Sequence, residues 1–240
     1  MQLNILLIII LTSFVQSIFG VGVLLFGTPL LLLSGHDFID AIKILLPISL
    51  SINLIQIVKD YKNIDLDFYK KILVYTIPFV VLFLFFVTSF RINITIFIGI
   101  FLLLVAAKDY SAGANKIIKY LIDYEKTYFV AMGIIHGITN LGGSLLTAIV
   151  HGRGYVKNKA RVTVALSYAT FAIFQMLTLA ISGNMAVSDF GKIGIYAAVG
   201  ISVFLFTELL VYIEINNANY ARYFAVLLFF TGMLLCLKSF

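Results

Sequence analysis

GIIHGITNLGGSLLTAIVHGRG, residues Gly133–Gly154, decides how this chain is read. It overlaps a charge-free run, Thr127–Gly152, yet it is interrupted by Gly133, Gly137 and the cluster Asn140-Leu141-Gly142-Gly143. A helix that crosses a bilayer needs about 20 mostly apolar residues. A backbone break inside hydrocarbon strands N–H and C=O groups unless it is buried in protein or lines a wet cavity. One glycine would only let two helices pack closely. The interruption recurs, however, in SIFGVGVLLFGTPLLLLSG, Ser17–Gly35, as Gly20-Val21-Gly22 and Gly27-Thr28-Pro29.

The two stretches align. Gln16-Ser17-Ile18-Phe19-Gly20-Val21-Gly22 matches His136-Gly137-Ile138-Thr139-Asn140-Leu141-Gly142. After a one-residue gap, Asp40-Ala41 meets Lys159-Ala160, Ser49 meets Tyr168 and Gln56 meets Gln175. Asp67-Phe68 then meets Asp189-Phe190, and Lys70 meets Lys192. The expectation is a duplicated chain, a recurring property of secondary transporters. Repeat one covers 1–108, with a hairpin at 3–34 and spans at 38–58, 68–90 and 92–108. A cytoplasmic linker covers 109–126. Repeat two covers 127–240, with a hairpin at 127–151 and spans at 158–182, 189–213 and 220–238.

Composition agrees with spans. Of 240 residues, 62% are hydrophobic and 12% charged; a soluble domain has roughly twice that share of charge. Mean hydropathy is +1.08. A soluble domain, a disordered chain and a disulfide scaffold are excluded. The apolar runs do not alternate apolar with polar, as barrel strands would. The first run has no basic segment before it and no clear cleavage site, so it reads as a retained membrane segment rather than a signal peptide. The lone cysteine, Cys236, excludes an intramolecular disulfide and a cysteine-cluster metal site.

Charge fixes the expected topology. If each broken run crosses once, Lys and Arg divide ten against seven between the two sides. If each enters and leaves on one side, they divide thirteen against four. The positive-inside rule prefers the second arrangement. Loops 59–71, 108–126, 151–161 and 214–222 then face the cytoplasm, and both termini lie outside. Each half crosses an odd number of times, so the halves are inverted. The fold class expected is all-α and polytopic: two inverted repeats, each a re-entrant hairpin plus three transmembrane helices.

With these features the chain resembles the TauE/SafE family of sulfite and organosulfonate exporters. The resemblance rests on Ser17–Gly35, on Gly133–Gly154 and on KARVTVALSYAT, Lys159–Thr170. The family pattern is a GxGGG-like cluster in each repeat. Here Val23 and Leu24 follow Gly22, and the second repeat has Ile149 where a proline is usual. The resemblance implies a small sulfur-containing anion as substrate.

The residues themselves suggest how an anion could be held. A half-helix starting after each break, near Val23 and near Ser144, presents unpaired N–H groups with partial positive charge. Glycine lets an anion approach that backbone. The candidate substrate-binding residues are Gln16, Gly20, Gly22, Asn53, Gln56, His136, Asn140, Gly142, Gly143, Ser144 and Gln175, with Thr170 beside Gln175 on the same helix. Against this stands plain interhelical hydrogen bonding. Glu208 is the one acid inside an apolar run, read as solvated or ion-paired as much as functional. Arg161 reads as a positive-inside anchor.

The reading is therefore a secondary carrier at the plasma membrane, not an enzyme, with no cofactor and no metal. Its expected partners are the lipid bilayer and a small anion, not nucleic acid; a homodimer stays open. There is no P-loop, no His-Glu-x-x-His and no Gly-x-Ser-x-Gly. The alternatives are a non-transporting membrane subunit or assembly factor, and an intramembrane enzyme using His136 and Ser144.

Overall fold

A computed structural model describes residues 2–90, 92–107, 124–185, 190–210, 226 and 229–237. The expected linker 109–126, apart from 124–126, lies outside the described residues, as do the loop 214–222 and the start of the span at 220–238. Among the described residues there is no strand. The protein is an all-α polytopic membrane protein. Among the described residues four helical stretches are long and apolar enough to cross a bilayer: Phe38–Asn63, Leu66–Phe90, Asn158–Ile181 and Gly191–Leu210.

The first run is two helices, α1 (Leu3–Phe19) and α2 (Val23–Leu33). Helix α3 (Phe38–Asp60) follows, and a 3-10 turn joins it to α4 (Leu66–Lys71). A π turn (Ile72–Thr76) carries α4 into α5 (Ile77–Phe90), and α6 (Thr95–Ala107) closes the first half. The second half has α7 (Glu125–Thr139), α8 (Gly143–Gly152), α9 (Lys157–Ile181) and α10 (Phe190–Leu210), then helical residues 229–237.

Packing is preserved when the halves are exchanged. Helix α1 packs on α10, and its counterpart α7 packs on α5. Helix α10 also packs on α3, and α5 on α9. Helices α3 and α9 pack on each other, forming the seam between the halves. A methyl group on Gly99 of α6 would lie 3.1 Å from the Gly232 carbonyl oxygen, and one on Gly232 would lie 2.9 Å from that of Gly99. The last helix of each half thus crosses its counterpart through a reciprocal glycine contact.

The loops sort into two ends. At one, Lys159 pairs with Asp65 at 3.0 Å, Tyr155 donates to Asp65 at 2.8 Å, and Arg153 and Lys71 both pair with Glu125. Burial alone would raise the Asp65 carboxyl, but the Phe68 N–H, Lys159 and Tyr155 outweigh it and hold it well below the usual carboxylate range. At the other end, His36, Asp37, Asp40, Lys43, Ile92, Asn93 and Asn184 line one cleft of about 450 Å³. Residues 59–71, 124–126 and 151–161 therefore share an end, and α3 and α9 run in opposite directions. Thiol labelling of a chain with Cys236 replaced by Ser checks this in a membrane. Asn63→Cys and Val156→Cys are expected to label from one side and Asn93→Cys from the other. Opposite labelling of the first two would break the arrangement.

Candidate functional site

Both breaks are built alike. Helix α1 ends at Gly20, left-handed at φ +73°, whose N–H donates to the Gln16 carbonyl at 2.8 Å. Helix α7 ends at Asn140, left-handed at φ +61°, whose N–H donates to the His136 carbonyl at 2.8 Å. Asparagine is among the few side chains that tolerate this conformation. The chain then doubles back tightly. A methyl on Gly22 would lie 2.6 Å from both the Gln16 nitrogen and the Thr12 oxygen. One on Gly142 would lie 2.5 Å from His136 Cβ and 3.0 Å from the Met132 oxygen. The glycines are required because a hairpin leg passes over them.

The same two residues cap the half-helices that follow. The Val23 N–H donates to Gln16 Oε1 at 2.9 Å. The Gly142 N–H donates to His136 Nδ1 at 3.2 Å. The sequence leads one to expect unpaired N–H groups at both breaks; these two are already taken by side chains from one leg back. Nor is Ser144 turned toward a ligand, since its hydroxyl donates to the Leu141 oxygen at 3.0 Å. It is not bonded to His136, so no nucleophile and base are paired here.

From each cap a polar chain runs into the seam. Gln16 Nε2 donates to Asn53 Oδ1 at 3.2 Å, and Asn53 Nδ2 donates to Ser49 Oγ at 3.0 Å. With Nδ1 accepting from Gly142, His136 must be the neutral Nε2–H tautomer, and Nε2 donates to Gln175 Oε1 at 3.2 Å. Gln175 Nε2 donates to Asn140 Oδ1 at 3.2 Å, and Asn140 Nδ2 donates to Thr28 Oγ1 at 2.9 Å. That last bond reaches from the second break into α2 of the other half. Gln16, Asn53, His136, Asn140, Gln175 and Thr28 are all essentially without solvent contact. Buried amides need such partners.

The remaining candidates divide. Gly143 starts α8, and a methyl on it would fall on the Tyr168 hydroxyl. Tyr168 and Phe171 wall the His136 ring, with the Phe171 and His136 centroids 4.5 Å apart. Gln56, the counterpart of Gln175, is fully buried, and neither amide atom finds a partner among the described residues. Thr170 turns away, donating to the Leu166 carbonyl at 2.8 Å and accepting from the Tyr69 hydroxyl at 3.2 Å. Sequence reasoning missed Thr28 and Tyr168. A hydroxyl beside Gly27 and Pro29 was the available signal for the first, and the pairing of Tyr168 with Ser49 for the second.

No curated protein and no solved structure matches the chain. The family model "Sulfite exporter TauE/SafE" matches residues 5–235, which takes in both hairpins, both caps and the seam. The chain, with its two glycine-hinged hairpins meeting at α3 and α9, belongs to that family of membrane transporters.

Proposed function

We propose that the protein is a secondary carrier for a small anion, with sulfite and organosulfonates the first candidates from its family. The observation that carries this is the bond between Asn140 and Thr28. It brings the second break against the hairpin of the other half, in a place closed to solvent. Two broken hairpins joined at a buried polar point are the arrangement in which a transporter holds a solute near the midplane. The moving bodies are not the sequence halves. One is α1, α2, α3 and α10; the other is the α4–α5 rod, α7, α8 and α9. They meet along α3 and α9. Sliding on that seam would open each end in turn, and the structure has the polar centre occluded.

The cation-rich end faces the cytoplasm by the positive-inside rule, and the termini lie outside. Expulsion of one negative charge from an inside-negative cell is favoured by about 2.3 kcal/mol per 100 mV. Membrane potential alone can drive export.

Flux of labelled sulfite in proteoliposomes tests the reading. Asn140→Gly keeps the left-handed backbone and removes both side-chain bonds. We expect flux to fall by about tenfold or more, the scale of one or two buried hydrogen bonds. Wild-type protein that moves neither sulfite nor an organosulfonate would overturn the proposal.

A further inference from the structure

Glu208 sits on α10 with its side chain 9% exposed, and Oε1 takes hydrogen bonds from two cations on two other helices. Lys59 Nζ of α3 is 3.1 Å away, and Arg161 Nη2 of α9 is the second donor. Two positive charges thus share one carboxylate oxygen, leaving a surplus of one among these three groups. Nearby donors are unspent. Among the described residues the buried donors Arg161 Nε and Gln56 Nε2 have no partner, and neither has the acceptor Gln56 Oε1. Gln56 precedes Lys59 by three residues, which puts both on one face of α3. Because α3 ends at the cation-rich end, Gln56 lies just deeper in the bundle than Lys59. A purely structural ion pair gives no reason for two buried donors beside it to stay idle. The positions matching Arg161 and Lys59 in the repeat spacing are Ile42 and Thr178, so the repeat does not reproduce this cation pair.

We propose that Glu208 is a tethered stand-in for the transported anion. Its carboxylate fills an anion seat formed by Arg161 and Lys59, with Gln56 below it, and a small oxyanion entering from the cation-rich end displaces it. This rests on the carrier reading. Displacement costs little, since one carboxylate-like group replaces another on the same donors. The freed Glu208 swings to solvent, while the oxyanion accepts from the Arg161 Nε and Gln56 Nε2 donors that Glu208 leaves unpaired.

The test is binding of radiolabelled sulfite to the full-length protein in nanodiscs, with sulfite flux in liposomes alongside. Glu208→Gln removes the competitor, so affinity is expected to rise roughly tenfold, the worth of one charge-assisted hydrogen bond. Arg161→Gln is expected to lower it by about the same factor, for the same reason. Gln56→Leu is expected to lower affinity while raising the melting temperature, because a buried amide without partners destabilises the fold. If Glu208→Gln does not fold, exposed Lys59 still carries the test. Lys59→Gln is expected to lower affinity by about threefold, near the upper range for an exposed ion pair, and unchanged affinity there overturns the seat. Flux present in the wild type, but with Glu208→Gln and Arg161→Gln shifting affinity in the same direction, overturns the seat and leaves the carrier reading standing. Absence of wild-type flux overturns the carrier reading itself.

Discussion

Gly143→Val is expected to unfold the protein or nearly so, and Tyr168→Ser in the same chain to bring much of the lost stability back. The methyl that any larger residue adds at Gly143 occupies the space of the Tyr168 hydroxyl. Tyr168 is buried between Phe171 and the His136 ring and has nowhere to turn. Overpacking of this kind costs about 3 kcal/mol or more. In the first half the matching positions hold Val23 and Ser49, both buried, so bulk is on the hairpin and the small residue on the long helix. The double substitution copies that solution. Tyr168→Ser alone leaves a cavity and also costs about 3 kcal/mol. A coupling of about 2 kcal/mol between the two sites is the expected reading of the cycle. It is checked by thermal melting of the four proteins in one detergent. Simple additivity would mean that the two breaks are not interchangeable.

His136→Leu is the second large effect. It strips the Gly142 N–H and Gln175 Oε1 of their partner in a place water does not reach. Each orphan costs about 1–3 kcal/mol, against a typical total of about 5–15. His136→Gln is expected to be mild. Gln16 already does the same work in the first half: its carbonyl oxygen accepts a backbone N–H and its amide nitrogen donates to an amide oxygen on α3. Melting curves separate the two variants. Equal damage from both would show that the imidazole ring itself, and not its two hydrogen bonds, is what the site needs.

The breaks were readable because hydrocarbon makes polar and glycine residues conspicuous. Gln16, His136, Asn140, Gly22 and Gly142 stand out in apolar runs, and the structure assembles them into two matching caps. Gly20 and Asn140 were aligned by position, and they prove to be the left-handed residues that end α1 and α7. What the sequence could not show is which helix lies beside which. Both the lipid-facing and the protein-facing sides of these helices are apolar, so periodicity says little about partners. The packing of α1 on α10, the reach of Asn140 to Thr28 and the diversion of Thr170 to Tyr69 are tertiary facts of that kind. So is the difference between Gln175, bonded through both its oxygen and its nitrogen, and Gln56, without a partner among the described residues. The expected bare helix tips were wrong in detail for a related reason. Side-chain caps from the preceding leg depend on how sharply the chain reverses, which composition does not record.

The packing of α1 against α10 reaches back to how the protein is made. Helix α1 leaves the ribosome well before its partner, and its resting place is formed by a helix that begins about 170 residues later. At ordinary elongation rates that is a wait of roughly ten to thirty seconds. Through that interval the opening hairpin, with no lysine or arginine to anchor it, must be sheltered by lipid or by the insertion machinery.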